Sequence, residues 1–402
     1  MLKINKSLIK GSFILLIAFG IFNFFHFLFQ FVMVRMLSIS EYGVLATLFA
    51  IIYIILVFSE SVQTILTKYT TNERDKGKIK NLLKKSSNKA FSISLILFIF
   101  YLVIAIPLSF ILKINYFLLS INGLIIFLAF FIPITRGIMQ GKARFKSLGA
   151  NMIIEATSKL IFGILFVFLG WKVYGAITGV ILGSIIAFCF SFIQLKDIIT
   201  SKEKKIETIG IYDYAKPTFI ITTIIIIFYT LDVIIARIFF PAEIAGSYAI
   251  ASILGKIIFW GTLPISKAMF PISTEHHLNK KKSENVFTNA LIILLFGIFI
   301  TLLIFYFFPQ FIIKIFSGKS IPEAASILFY VGIAFSFISL ANLVLLYKLS
   351  LGRVKGYGYI FIFILIEIIL LSLFSHDLLQ FSIAFISVSA AFLWGSIVLM
   401  ND

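Results

Sequence analysis

The 402-residue sequence is poor in charge and in acidic side chains above all, and it has a single cysteine. Charged residues make up 13% of the chain, whereas hydrophobic residues make up 60%. Soluble domains of this size do not have so apolar a composition, so the chain is predicted to cross a membrane several times. The lone Cys189 lies in an apolar segment, which excludes an internal disulfide framework and a thiolate metal site.

The scarcity of acidic residues leaves 17 Asp and Glu against 35 Lys and Arg, a formal net charge of +18. In a soluble protein this excess would indicate nucleic-acid binding. Here the basic residues lie mainly between apolar segments, where membrane topology requires them, so no nucleic-acid partner is expected. The first apolar run is too long for a signal peptide and lacks a small-residue cleavage site, which predicts a retained first span.

Apolar runs of about 20 residues, long enough for a helix to cross the bilayer core, recur along the chain. They predict an all-α polytopic membrane protein with about 12 spans and no inserted soluble domain. The predicted spans are 11–34, 43–66, 90–112, 117–139, 151–171, 174–195, 217–240, 246–270, 287–309, 325–347, 357–375 and 380–400.

The distribution of basic residues predicts the orientation of these spans. With a cytoplasmic N-terminus, 26 of the 35 Lys and Arg residues lie on the inner side and six lie on the outer side. This bias predicts that both termini lie in the cytoplasm. The membrane is expected to be the plasma membrane. The lysine run from Lys76 to Lys89 is interpreted as part of this bias and as a contact with anionic lipid headgroups.

One stretch of the sequence occurs twice. The segment from Arg35 to Gly43 and the segment from Arg237 to Tyr248 each contain an Arg, a short turn with an acidic residue, a Gly and a Tyr. The two Arg residues are 202 positions apart, close to half of the chain. The repeat predicts two parallel six-helix bundles, formed by residues 1–200 and 201–402.

Polar residues at bilayer depth are costly, so each is a candidate functional residue. In the first span, Asn23, His26 and Gln30 are spaced by three and four, which places them on one helical face. Glu60 in the second span and Asp232 in the seventh are further candidates. The alternative is that such groups only hydrogen-bond neighbouring helices.

Basic residues within or beside the spans are candidates for binding an anionic substrate. Lys256 lies near the middle of span 8 and is expected to face water, Asp232 or Glu367. Lys159 follows Glu155 by four residues, and the two are expected to form a self-neutralising pair. The remaining candidates are Arg35 and Arg237, at matched positions of the repeat.

The chain resembles the polysaccharide transport family, the Wzx-type lipid-linked oligosaccharide flippases of the multidrug/oligosaccharidyl-lipid/polysaccharide (MOP) exporter superfamily. The resemblance is diffuse but extends along the chain. The segments that carry it are Ser38–Gly43, Arg136–Phe145, the glycines Gly175, Gly179 and Gly183, and the segments Pro241–Ala249 and Met269–Ser273.

The resemblance implies two bundles in a V around a cationic cavity that opens alternately to each side of the membrane. It implies a transporter rather than an enzyme, which flips a polyprenyl-(di)phosphate-linked oligosaccharide to the outer leaflet. No cofactor and no metal are expected, and the partners are the lipid-linked substrate, membrane lipids and possible glycan-assembly proteins, with the protein a monomer. The residues leave the ion-coupling group open among His26, Glu60, Asp232 and Glu367.

Two other functions stay open at the level of sequence. A cation-coupled multidrug exporter of the same superfamily would be expected to have prominent acidic residues in its cavity. A membrane glycan polymerase or ligase would be expected to have a large external loop, whereas the predicted outer loops of this chain are short.

The predicted orientation can be tested by cysteine accessibility in a Cys189→Ser background. Because position 113 is predicted to face outward and position 78 inward, Lys113→Cys should react with a membrane-impermeant maleimide in intact cells. Lys78→Cys should react only after the cells are opened. The opposite labelling pattern would reverse the topology.

Overall fold

The computed structural model describes residues 6–206, 216–278, 283–352 and 356–399, and all regular structure in these ranges is helical. The fifteen α-helices are α1 Lys6–Met36, α2 Ile39–Asn72, α3 Lys76–Ile111, α4 Tyr116–Gly123, α5 Ile125–Gly141, α6 Phe145–Phe166, α7 Lys172–Gln194, α8 Lys196–Ile199, α9 Lys216–Phe239, α10 Ala242–Leu278, α11 Glu284–Phe307, α12 Pro309–Ser317, α13 Pro322–Ser350, α14 Ile362–Leu373 and α15 Leu378–Val398. Some basic residues used in the charge count lie outside the described residues: Lys3, Lys280, Lys281, Lys282, Arg353 and Lys355.

Ten helical runs within these ranges are long and apolar enough to cross a membrane. One of them, Phe145–Gln194, is 50 residues long and contains two helices, α6 and α7. A shorter apolar helix covers Gly358–Leu373. When α6 and α7 count as two spans and the short helix as one, a helix lies at each of the 12 predicted spans. The prediction of an all-α polytopic membrane fold is confirmed.

Helices α6 and α7 form a hairpin with a close backbone contact. The π-helical segment Val167–Trp171 joins them, and Gly170 within it has a φ of +88°, which glycine adopts at little cost. A Cβ atom on Gly179 would lie 2.4 Å from the backbone nitrogen of Gly163, and one on Gly183 would lie 2.6 Å from that of Lys159. Glycines four residues apart on α7 therefore let the two backbones approach closely.

The chain divides into two compact units. The first contains Met1–Leu37 and Ile55–Ala215, and the second contains Ser38–Ile54 and Lys216–Asp402. In the first unit α6 packs against α1 and α7, and α3 packs against α5; in the second unit α13 packs against α10 and α15, and α9 packs against α14. The first part of α2 thus clusters with the second unit, and the division into two six-helix bundles at residue 200 stays a prediction.

Within the second unit, which begins at Ser38, residues from the two copies of the repeated stretch pack against each other. A Cβ atom on Gly43 would lie 2.8 Å from the Cα of Gly246, and one on Gly246 would lie 2.1 Å from the carbonyl oxygen of Ile39. Ser38 and Glu41 form a capping box at the start of α2, because the Ser38 amide donates to Glu41 (2.9 Å) and the Glu41 amide donates to Ser38 (3.2 Å). The repeated glycines are therefore explained by a close helix crossing.

The lysine run of α3 holds a loop that follows α8. Lys80 donates to the carbonyl oxygen of Ser201 (2.9 Å), and Lys84 pairs with Glu203 at 3.3 Å. Lys204 in the same loop donates to Asp75 at 2.6 Å, and this hydrogen bond lowers the pKa of Asp75. The interpretation of the run as a lipid contact therefore missed protein partners that lie more than 100 residues away in sequence.

The close crossing predicts an asymmetry between two glycines. Gly246→Ala should lower the free energy of unfolding of the detergent-solubilised protein by about 1–3 kcal/mol, and its melting temperature with it. The reason is that the new methyl group overlaps the backbone at Ile39. Gly297→Ala on α11 is the matched control, since no atom lies within 4 Å of the added Cβ. Equal melting temperatures for the two variants would contradict the packing described.

Candidate functional site

In the second unit, α10 presents residues spaced four apart along one face: Tyr248, Ser252, Lys256 and Trp260. The first three contact Asp232 of α9. The hydroxyl groups of Tyr248 and Ser252 donate to its Oδ2 atom at 3.2 and 2.5 Å, and Lys256 Nζ lies 3.1 Å from its Oδ1 atom. Asp232 has no exposed surface, so Lys256 supplies its counter-charge and the two hydroxyl groups replace water around its carboxylate.

Lys256 is enclosed by aromatic rings as well as by its carboxylate partner. Its Nζ atom lies 4.8 Å from the ring centroid of Tyr229 and 5.4 Å from that of Phe335. Only 4% of the residue is exposed. Of the three environments expected for Lys256, the structure gives the ion pair with Asp232, supplemented by cation–π contacts.

A second carboxylic acid belongs to the same cluster. Glu367 of α14 is fully buried and interacts electrostatically with Asp232 and Lys256. No described residue hydrogen-bonds either of its carboxyl oxygens. Two acidic groups therefore share one buried ammonium group, which makes this cluster the acid-rich site of the second unit.

The first unit contains a different cluster, built on α5, α6 and α7. Arg136 Nη2 lies 2.5 Å from Glu155 Oε2, and the hydroxyl group of Ser184 donates to Glu155 Oε1 at 2.8 Å. Arg136 Nε also donates to Asn151 at 2.9 Å. Arg136 was counted with the inner loops, whereas it lies within α5 and holds Glu155 from a neighbouring helix.

Lys159 joins this cluster one turn further along α6. Its Nζ atom lies 3.2 Å from His26 Nδ1 and 4.8 Å from the ring centroid of Phe29. Glu155 attracts Lys159 electrostatically, as expected from their spacing. The residue that forms an ion pair with Glu155, at 2.5 Å, is however Arg136. This cluster therefore brings two cationic groups and one acid together.

The other candidates are dispersed over the chain. Arg35 is exposed at the end of α1, with its guanidinium 4.2 Å from the ring centroid of Phe31. Arg237 is 5% exposed near the end of α9. Gln30 is buried, while Asn23 and Glu60 are exposed on their helices. The structure therefore groups His26 with Lys159, and Asp232 with Lys256 and Glu367.

Several cluster residues escaped the sequence analysis. The spacing of Tyr248, Ser252 and Lys256 by four was a usable signal, because it marks one helical face. No local pattern could have linked Arg136 to Glu155, which lies on another helix. Within the described ranges, no group of three His, Cys, Asp or Glu side chains is placed to hold a metal ion.

Charged residues outside the spans fix the open end of the α6–α7 hairpin, opposite its π-helical turn. Arg144 binds Asp197 through two hydrogen bonds of 2.8 and 2.7 Å. This bidentate contact holds the pKa of Asp197 well below its usual range. Arg144 also donates to the carbonyl oxygen of Gln194 at the end of α7. The pair thus ties the start of α6 to the end of α7.

Comparison with known proteins gives one matching family and several solved structures with a similar fold. The family model described as polysaccharide biosynthesis protein matches residues 8–277. No curated protein matches the chain.

Three solved structures illustrate the fold. An inward-facing multidrug resistance MATE family transporter of the MOP superfamily is similar with a TM-score of 0.75 and 14% identity, over 94% of both chains. The lipid II flippase MurJ has a TM-score of 0.68 and 17% identity, over 95% of this chain and 87% of its own. A MOP superfamily transporter from Pyrococcus furiosus has a TM-score of 0.60 and 14% identity, over 98% and 94%. At these identities the likeness establishes the fold.

The cluster of the first unit predicts a stability effect. Glu155→Gln should lower the free energy of unfolding by about 3–5 kcal/mol, because it leaves the guanidinium of Arg136 buried without its counter-charge. The exposed Glu284→Gln is the control and should melt like the wild type. The double variant Arg136→Gln/Glu155→Gln should recover part of the loss. Additive losses in the double variant would show that the two side chains are not coupled.

Proposed function

Because the chain belongs to the polysaccharide biosynthesis protein family, we propose that it flips polyprenyl-(di)phosphate-linked oligosaccharides. The direction would be from the inner to the outer leaflet, for the synthesis of a surface polysaccharide or glycan. The family match over residues 8–277 carries this proposal, and the shared fold with a lipid II flippase supports it. In this proposal the protein is a transporter and not an enzyme.

The chemistry of such a substrate requires a protein. A glycan with a diphosphate cannot cross hydrocarbon alone, because its polar groups would lose their hydrogen bonds to water. The polyprenyl tail is apolar and can remain in the bilayer while the headgroup moves through the protein. Alternating exposure of one site to the two sides would then suffice for transport.

The cluster of the first unit is the proposed contact for the diphosphate. Lys159 and Arg136 lie together around one acid, Glu155, and two cationic side chains from neighbouring helices are suited to binding a phosphate group. Lys256 stays a candidate as well, but it could bind a phosphate only by exchanging Asp232 for it. Arg35 and Arg237 are proposed to act near the outer surface.

The cluster of the second unit is the proposed site of ion coupling. Asp232 and Glu367 share one ammonium group, so a change in the charge of either acid would alter the interaction with Lys256. Glu60 and His26 stay alternative coupling groups. We place the protein in the plasma membrane as a monomer with cytoplasmic termini, in contact with membrane lipids and with glycan-assembly proteins.

A cation-coupled multidrug exporter is the second candidate function. The similarity to a multidrug resistance MATE family transporter and the two buried acids of the second unit favour it. The family match favours the flippase, since it concerns polysaccharide biosynthesis. The two functions differ in the charge of the molecule that is moved.

The proposed function is tested by flipping of a fluorescent lipid-linked oligosaccharide in proteoliposomes. The wild type should flip it, and Lys159→Gln should lower the rate by roughly 10- to 100-fold, as expected when a hydrogen bond to a charged group is lost. The exposed Lys314→Gln is the control and should retain the wild-type rate. Folding of each variant is checked by size-exclusion chromatography.

Two results would count against the proposal. If the folded wild type does not flip the lipid but exports a cationic dye along an ion gradient, the exporter is the correct function. If Lys159→Gln flips as fast as the wild type, the diphosphate contact is elsewhere while the flippase stands.

A further inference from the structure

Three aromatic side chains from three helices meet in the second unit. Tyr53 of α2, Tyr229 of α9 and Trp260 of α10 form a triangle with ring-centroid distances of 6.3 Å between the tyrosines, 6.5 Å from Tyr53 to Trp260 and 6.2 Å from Tyr229 to Trp260. The indole nitrogen of Trp260 donates a 2.6 Å hydrogen bond to the hydroxyl group of Tyr229. This bond fixes the orientation of the indole ring.

The depth of these residues distinguishes them from an interfacial aromatic belt. At about 1.5 Å per residue, Trp260 lies about 27 Å from each end of α10, and Tyr53 lies about 21 Å from the start of α2. Tryptophan and tyrosine in membrane proteins are normally enriched at the two interfaces, close to the helix ends. The triangle instead lies at the middle of its helices.

Trp260 is the exposed member of the triangle. Trp260 has 44% of its surface exposed, whereas Tyr229 beneath it has 2%. Tyr53 is half-buried, and no residue in the described part of the chain hydrogen-bonds its hydroxyl group. A hydroxyl group without a partner in hydrocarbon is costly, so this surface is better suited to water or a polar ligand than to lipid tails.

The chemistry of the surface matches a sugar ring. A pyranose has one face of C–H groups, which pack against the negative face of an indole, and a rim of hydroxyl groups, which can bond a free phenol. A cationic ligand fits less well, because Lys256 already places an ammonium group 4.8 Å from the Tyr229 ring. An anionic ligand has no exposed cation in the triangle to bind.

We propose that Tyr53, Tyr229 and Trp260 form a sugar-binding surface on which one pyranose ring of the glycan headgroup stacks. The ring packs on the exposed face of Trp260 and hydrogen-bonds the Tyr53 hydroxyl group, while Tyr229 orients the indole. This assignment rests on the proposed flippase function and adds to it a contact for the glycan, separate from the contact for the diphosphate.

Fluorescence of Trp260 tests the proposal directly. In Trp171→Phe/Trp394→Phe, Trp260 is the single tryptophan, since the chain has three. The full-length protein in detergent is titrated with farnesyl diphosphate and with farnesyl diphosphate bearing a glucosyl, galactosyl or N-acetylglucosaminyl residue. At least one glycosylated probe should shift the emission and protect Trp260 from acrylamide. Farnesyl diphosphate alone should do neither.

Binding by variants supplies the second measurement. Trp260→Ala should weaken binding of the responsive glycosylated probe roughly tenfold, with affinity for farnesyl diphosphate unchanged. Trp260→Phe should retain most of the affinity for this probe, and Tyr53→Phe should lower that affinity several-fold. Trp394→Ala is the matched control, because Trp394 is 68% exposed on α15 and lies outside the triangle.

The outcomes separate this proposal from the proposed function. An equal response to glycosylated and bare farnesyl diphosphate would overturn the sugar-binding surface, and so would no response in a protein that flips lipid-linked oligosaccharide in vesicles. Either result leaves the flippase intact. A response to ethidium but to no glycosylated probe, together with an absence of flipping, would overturn both proposals in favour of an exporter.

Discussion

The ion pair between Lys256 and Asp232 is the interaction on which the second unit depends. A charge that is removed from water costs several kcal/mol, and only a close partner offsets that cost. Here the partner lies at 3.1 Å, is bonded by two hydroxyl groups and is contributed by the preceding helix. The rings of Tyr229 and Phe335 close the remaining space around the ammonium group. Helices α9 and α10 must therefore be arranged so that the two charges meet, and α13 supplies the ring of Phe335 beside them.

The two units differ in which kind of buried ionisable group is in the majority. In the first unit Arg136 and Lys159 outnumber Glu155, and in the second Asp232 and Glu367 outnumber Lys256. A transporter of a large anionic lipid needs one group of side chains to hold the headgroup and another whose charge can change during the cycle. The proposed division of roles assigns these two tasks to different units. Trp260 follows Lys256 by one helical turn, so a sugar stacked there would lie close to the acid-rich cluster.

Features that depend on residues within one helix can be predicted from this sequence, whereas contacts between helices cannot. The spans were predictable because a bilayer requires long apolar runs, and the choice of Asp232, Glu367 and Lys256 as candidates followed from the cost of charge in such runs. The partner of Glu155 was not predictable, because Arg136 approaches it from another helix. The repeat indicated two related halves, but the contact between Gly43 and Gly246 required the fold. The sugar-binding surface also combines residues from three helices.

The α6–α7 hairpin has a consequence for how the protein is made. Helix α6 carries Glu155 and Lys159, so by itself it is a poor candidate for entering a bilayer. Ser184 of α7 bonds Glu155, and the backbone of α7 at Gly183 covers the backbone of α6 at Lys159. These partners emerge from the ribosome only one helix later. The two helices would then leave the translocon as a pair, and the biosynthetic machinery would have to retain α6 until α7 has been synthesised.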